Sequence, residues 1–153
     1  YLSEKNIDKI AIEVIAIYEE NKVKNNIDVD FFKKYNDLYG HQKGDSCLQA
    51  IAEVLSSSAN RTSDFVARYG GEEFAIILPN TNRIDALNLS EKIHNKLKST
   101  KLVHEDSSIS DFVTLSMGLA VSDELKTCNP EKLINFADKA LYVAKESGRN
   151  RTI

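Results

Sequence analysis

The stretch RYGGEEFAIILPN, Arg68 to Asn80, constrains the fold of this chain more than any other. Phe65, Val66 and Tyr69 on one side and Phe74, Ile76, Ile77 and Leu78 on the other read as strands. Gly70 and Gly71 then fall where a two-residue hairpin turn needs positive φ. The spacing predicts an antiparallel hairpin within a larger sheet. The turn does not explain the acids that follow it. Glu72 and Glu73 are poor strand formers, and neighbouring like charges at a tip repel unless a cation or ligand lies between them.

Helical and strand periodicities alternate on both sides of the hairpin. Ile7, Ile10, Ala11, Val14, Ile15 and Tyr18 recur at helical spacing between Asn6 and Asn21. Asp45 is placed to cap a second helix with a buried stripe of Cys47, Leu48, Ile51, Val54 and Leu55. A third helix runs from about Ile84 to Leu97. The alternation of Val113, Leu115, Met117, Leu119 and Val121 with small residues then predicts a strand with one buried face. Asn129 and Pro130 open a last helix that turns Leu133, Phe136, Ala137, Ala140, Leu141 and Ala144 inward, with Gly148 as its terminator. The fold class is α/β, more closely α+β, with a central, mostly antiparallel mixed sheet flanked by helices.

Composition narrows the functions open to such a fold. The 153 residues, 42% of them hydrophobic, suffice for one domain with a substantial core. A net charge of −3 excludes broad adhesion to nucleic acid or membrane, so any anionic partner must be held by local Lys and Arg side chains. Cys47 and Cys128 are too few for a disulfide framework, which fits a reducing, cytoplasmic setting. No apolar run reaches membrane-spanning length, although the chain can still be the cytoplasmic part of a larger membrane-bound sensor.

A second cluster of candidate residues precedes the hairpin. In IDVDFFKKYNDLYGHQKGD, Ile27 to Asp45, the carboxylates of Asp28 and Asp30 share one face of an extended strand, an arrangement that attracts a cation. A helix starting at Phe31, Phe32 and Lys33 offers free N–H groups and an ammonium to phosphate oxygens. Asn36 and Asp45 supply an amide and a carboxylate able to read a base edge. Read separately, the same residues also fit helix capping and loop punctuation. Lys145 and Arg149 suit a helix C-terminus for electrostatic reasons alone. His94 and His104 read as surface residues.

Taken together, RYGGEEF, DVDFFKKYNDLYGHQKGD and the terminal AKESGRN resemble the GGDEF family of diguanylate cyclases, in its GGEEF variant, from Ile27 to Arg149. The resemblance implies a domain over 27–153, preceded over 1–26 by a helix and linker from an upstream sensory domain. It also implies a fold like the palm of nucleotidyl cyclases and polymerases. The implied activity is condensation of two GTP into cyclic di-GMP with release of two pyrophosphates, using Mg²⁺ or Mn²⁺ across a homodimer. Asp28, the Val29 carbonyl and Glu72 are implied as metal ligands, and Glu72, Glu73 and Lys33 as catalytic. GTP would be held by Phe31, Phe32, Lys33, Asn36, His41, Asp45, Gly70, Gly71, Lys145 and Arg149, with Asn36 and Asp45 selecting guanine.

The same resemblance implies an inhibitory product site in RTSD, with Arg61 and Asp64 supported by Lys92. Lys92 stands where the family often has an Arg, which loses a bidentate fork. The chain departs from the family before Ile27, where ENKVKNN replaces an apolar strand and the family's D-x-L-T-G-L-x-N-R segment does not occur. So polar a lead-in is expected to be hard to bury as a central strand, and residues are expected to be missing near 22–26. Two other functions stay open: a non-catalytic receptor for cyclic di-GMP or GTP, and a palm-type module acting on another nucleotide. Neither nucleic acid nor a membrane is expected as a direct partner.

Overall fold

The computed structural model describes residues 22–122 and 130–153. The proposed N-terminal helix at 6–21, Cys128 and Asn129 lie outside them. Strand β1, Lys22–Val29, leads into helix α1, Phe32–Tyr39, and helix α2, His41–Ser58. The predicted hairpin follows as β2, Phe65–Gly70, and β3, Glu73–Pro79. Helix α3, Arg83–Thr100, strand β4, Leu115–Val121, and helix α4, Pro130–Glu146, complete the described chain. The four strands lie in the order β2-β3-β1-β4 with every neighbouring pair antiparallel. One parallel bridge, Met117 to Thr152, adds the mixed element.

The polar lead-in is the main surprise. Lys22 to Asn26 belong to β1, which sits between β3 and β4 and pairs with both. The strand is fixed by two ladders of backbone hydrogen bonds, and these do not depend on side-chain polarity. Asn26 donates from its amide to Asp138 on α4, whereas both side-chain atoms of the fully buried Asn25 lack a hydrogen-bond partner. The sheet therefore tolerates a destabilising residue at its centre.

β4 also differs from the expectation of one buried face, because every residue from Leu115 to Val121 is buried. One face joins the core of β1, β3, α2 and α3. The other receives α4, and Gly118 permits the contact: a Cβ there would stand 2.0 Å from the Ala137 carbonyl oxygen and 2.2 Å from the Leu141 nitrogen. Leu133, Ala137, Leu141 and Ala144 face inward as expected, while Phe136 points outward and is 47% exposed. Cys47 is a core residue.

Candidate active site

The hairpin tip carries its glycines differently from the sequence expectation. The turn residues are Gly71 and Glu72, and of the two glycines Gly71 alone has positive φ, at 25°. Gly70 ends β2 beside a register shift between Arg68 and Gly70, so it serves a bulge. Arg68, which sequence reasoning passed over, donates from Nε to the Gly71 carbonyl at 2.7 Å and pins the turn. Glu73 starts β3 directly opposite Asp28 on β1, and the Glu72 carbonyl accepts from the Val29 N–H at 3.4 Å. The acids of the two motifs are thus brought together by strand register.

The charges in this cluster act on one another. Burial pushes the Asp28 carboxyl up; the Lys145 ammonium, 2.8 Å from Asp28 Oδ2, pulls it back, and Glu72 and Asp30 push it up again. The Tyr69 phenol is also raised, by burial first and then by the negative charges of Glu73, Asp138 and Asp28. The Asp30 carboxylate is taken up by hydrogen bonds. It is buried and accepts from Thr114 Oγ1 at 2.8 Å, Ser116 Oγ at 2.6 Å and the Asn150 N–H at 3.1 Å. Its role is to fasten β4 and the chain after α4 to the end of β1.

Helix α1 begins as anticipated at Phe32, after Phe31 in a left-handed conformation with φ 56°, and no side chain caps its first N–H groups. Neither Asp28 nor Asp30 caps it. Gly148, at φ 108°, ends α4, and Arg149 follows with its guanidinium 4.6 Å above the Phe31 ring. Lys34 lies on the same ring at 5.2 Å. Arg149 therefore reaches the start of α1, whereas Lys145 is engaged with Asp28 on β1; Arg149 also donates to the Lys145 carbonyl at 3.3 Å.

A cleft of about 510 Å³ opens beside this cluster, lined by Phe32, Lys33, Asn36, Asp37, His41, Asp45, Leu48, Arg68, Gly71 and Glu72. Its volume is in the range that holds a small-molecule ligand. Asp45 lies in the second turn of α2 rather than at its cap, which is Gly40, because the helix already starts at His41. Its exposed carboxylate is left to the cleft. Asn36 Oδ1 is buried without a hydrogen-bond partner, and the neighbouring Gly44 leaves it room: a Cβ at 44 would stand 1.8 Å from that oxygen. Gly44 is a buried helix residue.

Arg61 and Asp64 line a separate cleft of about 230 Å³ with Ser58, Asn60, Thr81 and Asp85. They precede β2, so they sit at the other end of the hairpin from its tip, roughly 20 Å away at ~3.3 Å per strand residue. Arg61 is bound to Asp64 at 2.7 Å and donates to Thr81 Oγ1 at 2.6 Å. Lys92 donates to the carbonyl of Ser58, itself a residue of this cleft, at 3.1 Å, and so lies at the edge of the cleft and not among its lining residues. The two histidines read as surface residues are not: His104 is 1% exposed, and His94 is partly buried against Thr152 with its imidazole lowered by that burial.

The donor chemistry fits a hard divalent ion held in part by substrate. Asp28 and Glu72 offer carboxylate oxygens, and the Lys145 ammonium already rests where a cation meets Asp28. Among the described residues no three His, Cys, Asp or Glu side chains are grouped closely enough to cage an ion. Mg²⁺ commonly takes one or two carboxylates and completes its shell with phosphates and water, so the small protein donor set suits it.

An antiparallel sheet whose two inner strands carry acids to one end, next to an uncapped helix start and a polar cleft, defines the class of the domain as α+β with its candidate site at that end of the sheet. Comparison with known proteins makes the assignment specific: residues 22–151 match the family described as "Diguanylate cyclase, GGDEF domain", and the chain belongs to it. It is 39% identical over 125 residues to diguanylate cyclase A of Treponema denticola, covering 82% of this chain and 33% of that protein. The crystal structure of the GGDEF domain of DgcB from Caulobacter crescentus, in complex with c-di-GMP, superposes with a TM-score of 0.73 at 32% identity, covering 97% of this chain and 85% of that one. The active GGEEF domain of a Vibrio cholerae diguanylate cyclase gives 0.73 at 31% identity, with 94% and 88% covered. The chain spans about a third or less of the length of the curated relatives it matches.

Proposed function

We propose that this domain is a diguanylate cyclase module that joins two GTP molecules into cyclic di-GMP, each active site being completed across a two-fold dimer. The observation that carries this reading is the gathering of Lys33, Asn36, His41, Asp45, Gly71 and Glu72, from separate segments of chain, around one cleft beside the Asp28–Lys145 pair. Asn36 and Asp45 read the guanine edge, which adenine cannot satisfy without leaving buried polar groups unpaired. His41 borders the base. The free N–H groups of Phe31, Phe32 and Lys33, with the Lys33 ammonium and Arg149, hold the β- and γ-phosphates. Gly70 and Gly71 keep the hairpin backbone thin where the nucleotide approaches.

Asp28, the Val29 carbonyl and Glu72 would hold Mg²⁺ or Mn²⁺, which lowers the pKa of the attacking 3′-hydroxyl and neutralises the leaving pyrophosphate. Glu72 takes up the proton of that hydroxyl as its oxygen bonds to the α-phosphorus of the facing GTP, and the bond to pyrophosphate breaks. Glu73, opposite Asp28, adds negative charge that favours a cation at this end of the sheet. Lys145 exchanges its Asp28 partner for phosphate when substrate is bound. One subunit holds one nucleotide, so the symmetric reaction requires a second copy. An upstream sensory domain would set the encounter of the two copies. Arg61 and Asp64 form the product-inhibition site, with Lys92 at its edge on the Ser58 carbonyl. A cytoplasmic setting supplies the GTP; among the described residues no helix is long and apolar enough to cross a membrane.

Incubation of the chain with GTP and Mg²⁺, followed by chromatography, tests the reading. Cyclic di-GMP and pyrophosphate are expected, with little turnover of ATP. Glu72→Gln should lower turnover by roughly a hundredfold or more. A proven dimer that binds GTP and yields no product would favour the receptor function instead.

A further inference from the structure

The connection between α3 and β4 contributes nothing to the chemistry proposed above, yet it braces the helix on which that chemistry depends. His104 lies in it, 1% exposed, with Nε2 3.2 Å from the Phe31 carbonyl oxygen. A carbonyl only accepts, so Nε2 carries the proton, and Nδ1 is the ring nitrogen buried without a partner. The imidazole meets the Tyr35 ring edge-on at 5.3 Å. Two further bonds link the same connection to α1: the Glu105 N–H donates to Tyr39 Oη at 3.1 Å and Lys34 Nζ donates to the Asp106 carbonyl at 3.4 Å. The connection is itself tied by His104 N–H to Asp111 O at 2.8 Å and by Val113 N–H to Leu102 O at 2.8 Å. It is a bracket fastened at both ends.

What this bracket holds is a strained residue. Phe31 adopts φ 56° and ψ 29°, a conformation that non-glycine residues avoid, and α1 has no side-chain cap to fix its first turn. The Phe31 carbonyl takes the first helical hydrogen bond, from the Tyr35 N–H at 3.1 Å, and the His104 imidazole on the same oxygen locks its direction. Rotation of that peptide would swing the N–H of Phe32 with it, since carbonyl 31 and N–H 32 belong to one plane.

We infer that His104 is a positioning residue for the triphosphate: by holding the Phe31 carbonyl it aims the N–H groups at the start of α1 and the Phe31 ring on which Arg149 lies. The inference rests on the reading of α1 as the phosphate-holding helix. It assigns His104 to one end of the substrate only. The guanine end, at Asn36 and Asp45, is held by the packing of α1 against α2 and by the Lys34 and Tyr39 bonds, which a substitution at His104 alone leaves in place.

Steady-state kinetics of the full chain separate the two ends, with the KM for GTP reporting on both and the Ki of guanosine, as a competitive inhibitor, on the base alone. His104→Leu is expected to raise the KM for GTP by roughly 3–10-fold, the equivalent of one net hydrogen bond, and to leave the guanosine Ki within about twofold. His104→Gln, whose amide can donate to the same carbonyl, is expected to restore most of the GTP affinity. Should His104→Leu not fold, His104→Asn, which keeps an amide too short to reach Phe31, replaces it. A folded variant in which both constants rise together, or neither moves, overturns the inference: a merely structural histidine would change the folded fraction or both ends equally. A wild-type chain that neither turns over nor binds GTP overturns the reading of the site, and this inference with it.

Discussion

Gly44→Ala is the substitution for which the structure predicts little effect on stability and a large one on substrate binding. A Cβ at position 44 would lie 1.8 Å from Asn36 Oδ1 and 3.2 Å from Phe32 Cζ. Ordinary contact requires about 3.3–3.5 Å, so the Asn36 oxygen must retreat by roughly 1.5 Å, which its side chain achieves by leaving its rotamer and not by moving α1. Alanine in a helix interior is favoured over glycine by about 0.5–1 kcal/mol. The rotamer change costs a similar amount, so net stability should change by less than ~1 kcal/mol and the melting temperature by no more than about 2–4 °C. Binding follows a different course. Displacing Asn36 removes its contact to the base, about 1–3 kcal/mol or roughly 5–150-fold in the KM for GTP. Thermal denaturation with GTP saturation kinetics measures both quantities. The control is the double variant, because once Asn36→Ala has removed the amide, Gly44→Ala should add nothing to KM. A normal KM in Gly44→Ala, or additive losses in the pair, would refute the reasoning.

The remaining predictions concern control and pH. Arg61→Ala breaks the bonds to Asp64 and Thr81 at the far end of the hairpin, and is expected to relieve inhibition by added cyclic di-GMP while initial rates stay within about twofold. Equal inhibition of both proteins would remove the product site from that cleft. Asp28 has a folded-state carboxyl raised above its ordinary 3.8, chiefly by burial. A cation needs the ionised form, so metal-dependent turnover should fall as pH drops through that raised value, earlier than for an ordinary aspartate. For stability the sign is opposite: a raised carboxyl favours the fold on the acid side, and this contribution is lost as pH rises through the folded-state value. Asp28→Asn should therefore abolish turnover yet keep or raise the melting temperature at pH 7, with a flatter acid limb. A drop of several degrees at pH 7 would show the Lys145 pair outweighing the burial of Asp28.

The two motifs that identify the family were legible because each is local. The glycine-containing reversal needs one residue with positive φ, and Gly71 supplies it; the run of Phe31, Phe32 and Lys33 is a helix start whatever it packs against. The helical stripes of α2 and most of α4 follow from period alone, so Cys47, Ile51, Leu133 and Ala137 could be placed in the core unaided. Where both faces of an element are covered, period misleads. β4 alternates large with small residues because α4 must come close at Gly118, and Phe136 falls on the outer side of a helix whose inward stripe is narrower than the sequence suggests.

By itself, the sequence determined which carboxylates, ammonium and guanidinium groups, amides and turn glycines are present for the proposed site, since those are properties of side chains and short turns. Only the tertiary structure decided which acids meet. Asp28 faces Glu73 across β1 and β3, whereas Asp30, two residues on, is consumed by Thr114, Ser116 and the Asn150 N–H. It also decided that Lys22 to Asn26 can be a central strand, and that a histidine more than seventy residues from Phe31 holds its carbonyl. These are long-range pairings, set by strand register and helix packing over the whole chain, and no local pattern of residues encodes them.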